Sequence, residues 1–260
     1  MKPRIAIPQP HSANPAFVAK SFPQYCQAVE RAGGEPVEIG LDCPNAAIMR
    51  LAMTCDGVLL PGSPADLNPE KYGAPRDPHT APADSARDNA DELLMQDAFN
   101  MRKPLLGVCF GLQALNVWRT GSLIQHLTGP VQHSSTPESV SIHRVIIAPD
   151  SRLGAILAER TGPPQCPSDQ PERIVNSSHH QAAASAGDGL RAVAWCPDDQ
   201  VIEALEGVWP DHWVIAVQWH PERTTEDPGA QALFRAFIDA ARTFHAKAGA
   251  AVPDFESLPG

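Results

Sequence analysis

One cysteine stands where a nucleophile could work. Cys109 follows the apolar run Leu105, Leu106, Gly107, Val108 and precedes a helical pattern carrying Leu112, Leu115 and Trp118. A buried strand turning sharply into a helix, with Gly107 and Gly111 two residues either side of the Cys, has the layout of a nucleophile elbow. Small neighbours permit the strained turn. The helix start aims free N–H groups and its positive dipole end at the sulfur, which favours thiolate. The Phe110 N–H can face an oxyanion forming on an attacked carbonyl. A Cys at the end of a buried strand also serves as a plain small hydrophobe, so the pattern needs a base to become chemistry.

A base lies far downstream. The apolar run Val214, Ile215, Ala216, Val217 ends in Gln218, Trp219, His220, Pro221 and Glu222. Cysteine chemistry needs an imidazole to take the thiol proton and return it to a leaving amine. A carboxylate that holds the imidazole tautomer helps. His220 and Glu222 supply both, with Pro221 stiffening the spacer so that Glu222 can turn back.

The rest of the chain must bring these ends together. Apolar runs predict strands over 4–8, 36–39, 57–60 and 105–108, alternating with helices over 17–33, 45–53 and 84–101. That alternation predicts a doubly wound, mostly parallel α/β sheet flanked by helices, with ligands at the carboxyl ends of its strands. Beyond the elbow helix, strands are expected over 139–148, 190–196, 201–205 and 213–219. Short turns join several of them, so part of this half is expected to be antiparallel. A helix over 226–247 closes the fold. Residues 1–248 read as one domain and 249–260 as a loose tail. The stretch 61–83 is rich in Pro, Gly, Asp and Ser and long for a loop, a feature of functional or disordered segments.

Composition narrows the function. The chain has 260 residues, 43% of them hydrophobic, enough for one large core. The formal charge of −10 and the lack of a Lys/Arg cluster disfavour nucleic acid and anionic membranes as partners. No run approaches the roughly 18 apolar residues that span a bilayer, and the N-terminus lacks an export signature, so a soluble cytoplasmic protein is expected. Six scattered cysteines without a C-x-x-C pair read as reduced thiols, and no zinc-ligand spacing is visible. No cofactor or metal ligand is assigned.

The elbow Cys109, Phe110, Gly111, Leu112, Gln113 followed by Gln218, Trp219, His220, Pro221, Glu222 resembles the class I glutamine amidotransferase superfamily. The resemblance runs from about Asp56 to Glu222 and implies a flavodoxin-like sheet with Cys109, His220 and Glu222 as catalytic triad. Leu59 to Pro64, Asn68, Pro69, Tyr72 and Gly73 look like the long loop of the γ-glutamyl-γ-aminobutyrate hydrolase branch, peptidase C26. Arg87, Asp88 and the segment Val175 to Gln181 are similar to the same branch. The resemblance implies that Gln113, Ser178 and His179 contact the glutamyl moiety, partly through backbone, while His180 and Gln181 buttress that loop. Gly62, just after a buried strand, can offer its N–H beside Phe110 as a second oxyanion donor. His133 and His143 read as surface or structural histidines near the pocket. The chain departs from the branch at Phe110, where Arg is usual, and at Thr120, where Gly is usual. The altered stretch 118–122 and the loop 64–83 are expected to wall the amine side of the pocket.

Three functions fit these residues. The first is a cysteine hydrolase releasing glutamate from small γ-glutamyl amides such as γ-glutamyl-γ-aminobutyrate. The second is the glutaminase subunit of a two-chain amidotransferase, passing ammonia to a partner. The third is a non-enzymatic metabolite-binding protein, which an intact triad argues against. Oligomeric state, a homodimer included, is not decided by the sequence.

Overall fold

The computed structural model describes residues 1–135, 139–158 and 172–250, the last three without their side chains. Among the described residues, six α-helices and eleven strands follow one another as β1 (Arg4–Pro8), α1 (Pro15–Arg31), β2 (Glu35–Ile39), α2 (Asn45–Met53), β3 (Gly57–Leu60), α3 (Ser85–Met101), β4 (Leu105–Val108) and α4 (Phe110–Trp118). After these come β5 (Ser122–Ile124), β6 (Ser141–Ile147), α5 (Arg152–Ala158), β7 (Glu172–Ser177), β8 (Ala182–Ser185), β9 (Leu190–Trp195), β10 (Ile202–Gly207), β11 (Val214–Val217) and α6 (Pro228–Ala250). All strands join one sheet in the order β2-β1-β3-β4-β11-β10-β9-β6-β7, with β8 pairing β10 and β5 pairing β8. The first five strands of that order are parallel and the others antiparallel. The doubly wound α/β sheet, parallel through β2, β1, β3, β4 and β11 and antiparallel in its C-terminal part, is therefore present as expected.

The central strands β3, β4 and β11 are short and buried at every residue. Sheets covered on both faces need such continuous apolar runs. Alternate residues feed two layers: Leu59, Leu106, Val108, Ile215 and Val217 meet α1 and α6, while Val58, Leu60, Leu105 and Ala216 meet α2, α3 and α4. Helix starts follow capping chemistry. The Asn14 side chain accepts the Phe17 N–H ahead of Pro15, and the Asp84 side chain accepts the Arg87 N–H. Helix α1 begins two residues earlier than its apolar spacing predicts, because that cap and Pro15 start it.

β5, β7, β8 and α5 have no counterpart in the sequence reading. β5 is three residues long, β8 is an Ala-rich stretch of weak strand preference, and β7 mixes charged and apolar side chains. The expected tail lies, beyond Ala250, outside the described residues, as does Cys166. The other five cysteines are free. Among the described residues no helix is long and apolar enough to cross a membrane.

The long loop is held by hydrogen bonds within itself and to Gln125. Asp66 accepts the Ala81 N–H at 2.6 Å, Arg76 donates to the Thr80 and Ala81 carbonyls, and Gln125 accepts from Asp77 and Thr80. At the end of α4, Thr120 has φ +69°, a left-handed conformation that β-branched residues resist. This is where the resemblance expects Gly. Thr120→Gly should therefore raise stability by about 1 kcal/mol, read as a higher urea midpoint at unchanged slope.

Candidate active site

Cys109 sits at the carboxyl end of β4 with φ 52° and ψ −104°, outside the ordinary wells for a side chain. Such strain persists only where the surroundings over-determine it. Here they do. A Cβ on Gly111 would lie 2.2 Å from the Leu60 carbonyl oxygen, and one on Gly107 would lie 2.9 Å from the Gly111 oxygen. The Cys109 N–H donates to the Val217 carbonyl at 2.8 Å, tying the elbow to β11. Phe110 opens α4 directly behind it, where an N–H has no intrahelical acceptor.

Because β11 lies parallel beside β4, with Val217 opposite Val108, the two strand ends deliver Cys109 and His220 to one place. Asn176, on β7, clamps the His220 backbone both ways: its Oδ1 accepts the His220 N–H and its Nδ2 donates to the His220 carbonyl, each at 2.8 Å. A short turn, Pro221–Arg223, swings Glu222 back so that Oε1 meets His220 Nδ1 at 2.8 Å. Both side chains are buried. Burial alone would pull the imidazole down, but the Glu222 carboxylate, then Cys109, outweigh it and His220 rises to about 9. Burial likewise opposes the Glu222 charge, yet His220 and Arg223 hold its carboxyl below the usual range. The imidazolium form is thus stabilised, as a base that accepts a thiol proton requires. Its Nε2 is buried and free of other hydrogen bonds.

Gly62 closes the other side. A Cβ there would lie 3.1 Å from His220 Cε1 and 3.6 Å from Cys109 Cβ. Its N–H donates to the Tyr25 hydroxyl at 3.0 Å. Burial, then the neighbouring Glu222, pushes the Tyr25 phenol well up, so it stays neutral. Arg87, fully buried on α3, donates to the Pro61 carbonyl at 2.6 Å, the Pro10 carbonyl at 3.1 Å and Asp91 at 2.7 Å. Its guanidinium also covers the Phe110 ring, 5.0 Å from the centroid. One side chain therefore anchors both the Gly62 loop and the residue after Cys109. Burial raises Asp91 to about 6 even with Arg87 beside it. Arg87→Met should cost about 3–5 kcal/mol in denaturant unfolding, since it strands a buried carboxylate. Adding Asp91→Leu should recover part of that loss.

A pocket of about 200 Å³ opens over Cys109, lined among others by Asp66, Phe110, Gln113, Ser178, His179 and His180. All three residues expected to contact a glutamyl group therefore reach it. Gln113 is buried and donates to the Gln181 carbonyl at 3.0 Å and to Gln218 at 3.3 Å. The His179 backbone faces Ser134 and the His133 carbonyl, and its ring turns into the interior. Burial lowers that imidazole to about 3, so it is neutral. His133 and His143 are buried beside it rather than at the surface. Asp66 and His180 pair at 3.0 Å on the pocket wall, and the Asp66 bond raises the His180 imidazole despite partial burial. Of the two expected wall segments, the loop supplies Pro64, Ala65 and Asp66. The stretch 118–122 does not join them. Trp118 packs on Phe99, and Arg119 stacks over Phe99, Trp118 and Trp209.

The sheet order, with a strained Cys and a His–Glu pair at neighbouring strand ends, defines a glutamine amidotransferase-like protein. Over 96% of this chain and 98% of the other, the fold matches a GMP synthase subunit from Thermoplasma acidophilum with a TM-score of 0.63 at 13% identity. The peptidase C26 model matches residues 8–222, and the chain belongs to that family. Among its relatives, protein NtpR of Enterococcus hirae is 32% identical over 221 residues, 82% of this chain and 86% of NtpR. Gamma-glutamyl-gamma-aminobutyrate hydrolase PuuD of Escherichia coli K12 is 31% identical over 229 residues, 84% of each chain.

Proposed function

We propose that the protein is a free-standing cytoplasmic hydrolase of small γ-glutamyl amides. The observation that carries this reading is the strained Cys109 beside a His220 that Glu222 holds at 2.8 Å. The Cys109 sulfur attacks the γ-carbonyl, and His220 holds the thiol proton. The tetrahedral oxyanion takes the Phe110 N–H, joined by the Gly62 N–H once substrate oxygen replaces the Tyr25 hydroxyl. His220 gives its proton to the departing amine, leaving a γ-glutamyl thioester on Cys109. Water, deprotonated by His220, then releases glutamate and restores the thiol.

The pocket chemistry suits the glutamate half. A free α-amino group and α-carboxylate need charged or polar partners when desolvated. Asp66 offers a carboxylate, and His180, Gln113, Ser134 and Ser178 offer polar groups around Cys109. The name and similarity of the Escherichia coli γ-glutamyl-γ-aminobutyrate hydrolase support the same substrate class. Blocking the α-amino group or the α-carboxylate of a γ-glutamyl amide should lower kcat/KM by roughly 10²-fold or more. Varying the amine among small ω-amino acids should change it less. Kinetics on such a paired series tests the reading, and an N-acylated substrate turned over as fast as the free one would overturn it. Turnover of glutamine alone, and only with a partner chain present, would favour the second reading, in which the chain is the glutaminase of a two-chain enzyme.

A further inference from the structure

Behind the pocket, three imidazoles converge on one carboxylate that the proposed hydrolysis does not use. His133 Nδ1 lies 3.5 Å from Glu203 Oε1, His143 Nε2 3.4 Å and His179 Nε2 3.6 Å. All four side chains are buried, Glu203 completely. The three nitrogens and both Glu203 oxygens make no hydrogen bond, and the four ligand atoms lie within 4.8 Å of one another.

The outward nitrogens explain which way the lone pairs point. His143 Nδ1 meets the Arg144 carbonyl at 3.0 Å, His179 Nδ1 the Gln181 carbonyl at 2.9 Å and His133 Nε2 the Asp199 carboxylate at 2.8 Å. Each of these partners only accepts, so each outward nitrogen carries the N–H. Whenever a ring so held is neutral, its inward nitrogen is a bare lone pair, and an ionised Glu203 also only accepts. An acceptor-only cage buried away from water is costly unless something positive fills it. Ring N–H groups held by carbonyl or carboxylate oxygens are also the arrangement that orients imidazoles toward a metal.

We infer that His133, His143, His179 and Glu203 form a structural zinc site. Tetrahedral zinc with bonds of about 2.0–2.1 Å to N and O places its ligands about 3.3–3.4 Å apart. The three N–O separations of 3.4–3.6 Å need only a small contraction, and all four ligand atoms, within 4.8 Å of one another, must draw together around the ion. Four protein ligands close the shell, so the ion serves structure rather than chemistry. It ties β6 and β10 to the segments bearing His133 and His179, and His179 lines the pocket over Cys109.

Elemental analysis of the full-length protein after gel filtration should find about one zinc per chain. Chelator-stripped protein titrated with zinc chloride should regain a higher Tm, and cobalt chloride should give the visible absorption of tetrahedral cobalt. Glu203→Gln and His143→Gln should lose the metal and the Tm response, whereas Cys196→Ser, beside Asp199, should keep both. The stripped wild type carries the test by itself if the cage variants do not fold. No zinc uptake and no Tm shift in that protein would overturn the site. So would equal zinc content in wild type and Glu203→Gln, the sign of an adventitious ion, or metal lost on changing Cys196 alone. These readouts do not depend on hydrolytic activity.

Discussion

Replacing Cys109 with Ala should reduce glutamate release by about 10⁶-fold, the scale of losing a covalent nucleophile. The thiol should also stand out chemically. Iodoacetamide should modify Cys109 before the other cysteines, with activity lost in step. Burial pushes the Cys55 and Cys196 thiols up to about 11, and burial followed by Glu30 and Glu38 does the same to Cys26. Those groups hold little reactive thiolate near neutral pH. Cys109 instead faces a pocket, a helix start and the His220 imidazole. Peptide mapping decides the matter: Cys26 or Cys43 modified first, with activity lost, would remove Cys109 from the role.

His220→Ala should be nearly as severe, because the thiol loses its base and the leaving amine its acid. Glu222→Gln should retain roughly one to two powers of ten more activity, since that carboxylate orients and stabilises an imidazolium without transferring protons. It should leave a second mark. Without the Glu222 charge the His220 imidazole loses its main upward influence while burial still pulls it down. In NMR titrations His220 should then become neutral at lower pH than in the wild type. The sign extends to stability: the His220 imidazolium contributes below its ordinary range and that contribution is lost as pH rises through about 9. Glu222→Gln should flatten this alkaline loss. Full activity in both variants, or an unmoved His220 titration, would contradict the triad.

The proposed triad was legible because each half is local. An apolar run followed by Gly, Cys and Gly announces a strand that turns into a helix, and His-Pro-Glu at a strand end needs only two residues of separation. The structure adds that the two strands are neighbours, which only the sheet order supplies. Tyr25, Arg87 and Asp66 are different. Tyr25 falls on the apolar stripe of α1 and reads as core, although its hydroxyl reaches Gly62. Arg87, which the family resemblance marked without a role, sits in a charged helix whose polar residues turn inward, against the usual expectation for such a pattern. Asp66 lies in a loop with no periodicity at all. The histidine cage drew on four separate segments, so no spacing could announce it. A family resemblance pointed to the segment carrying His179, but not to a ring turned away from the pocket.

The central claim is that this chain alone cleaves γ-glutamyl amides through Cys109. The direct measurement is hydrolysis of γ-glutamyl-γ-aminobutyrate by the purified chain without any partner, with intact-mass analysis of acid-quenched samples. Glutamate and amine released in equal amounts, together with a γ-glutamyl adduct mapped to Cys109 and absent from Cys109→Ala, is the predicted result. No release from any γ-glutamyl amide, or release that persists in Cys109→Ala, would contradict it.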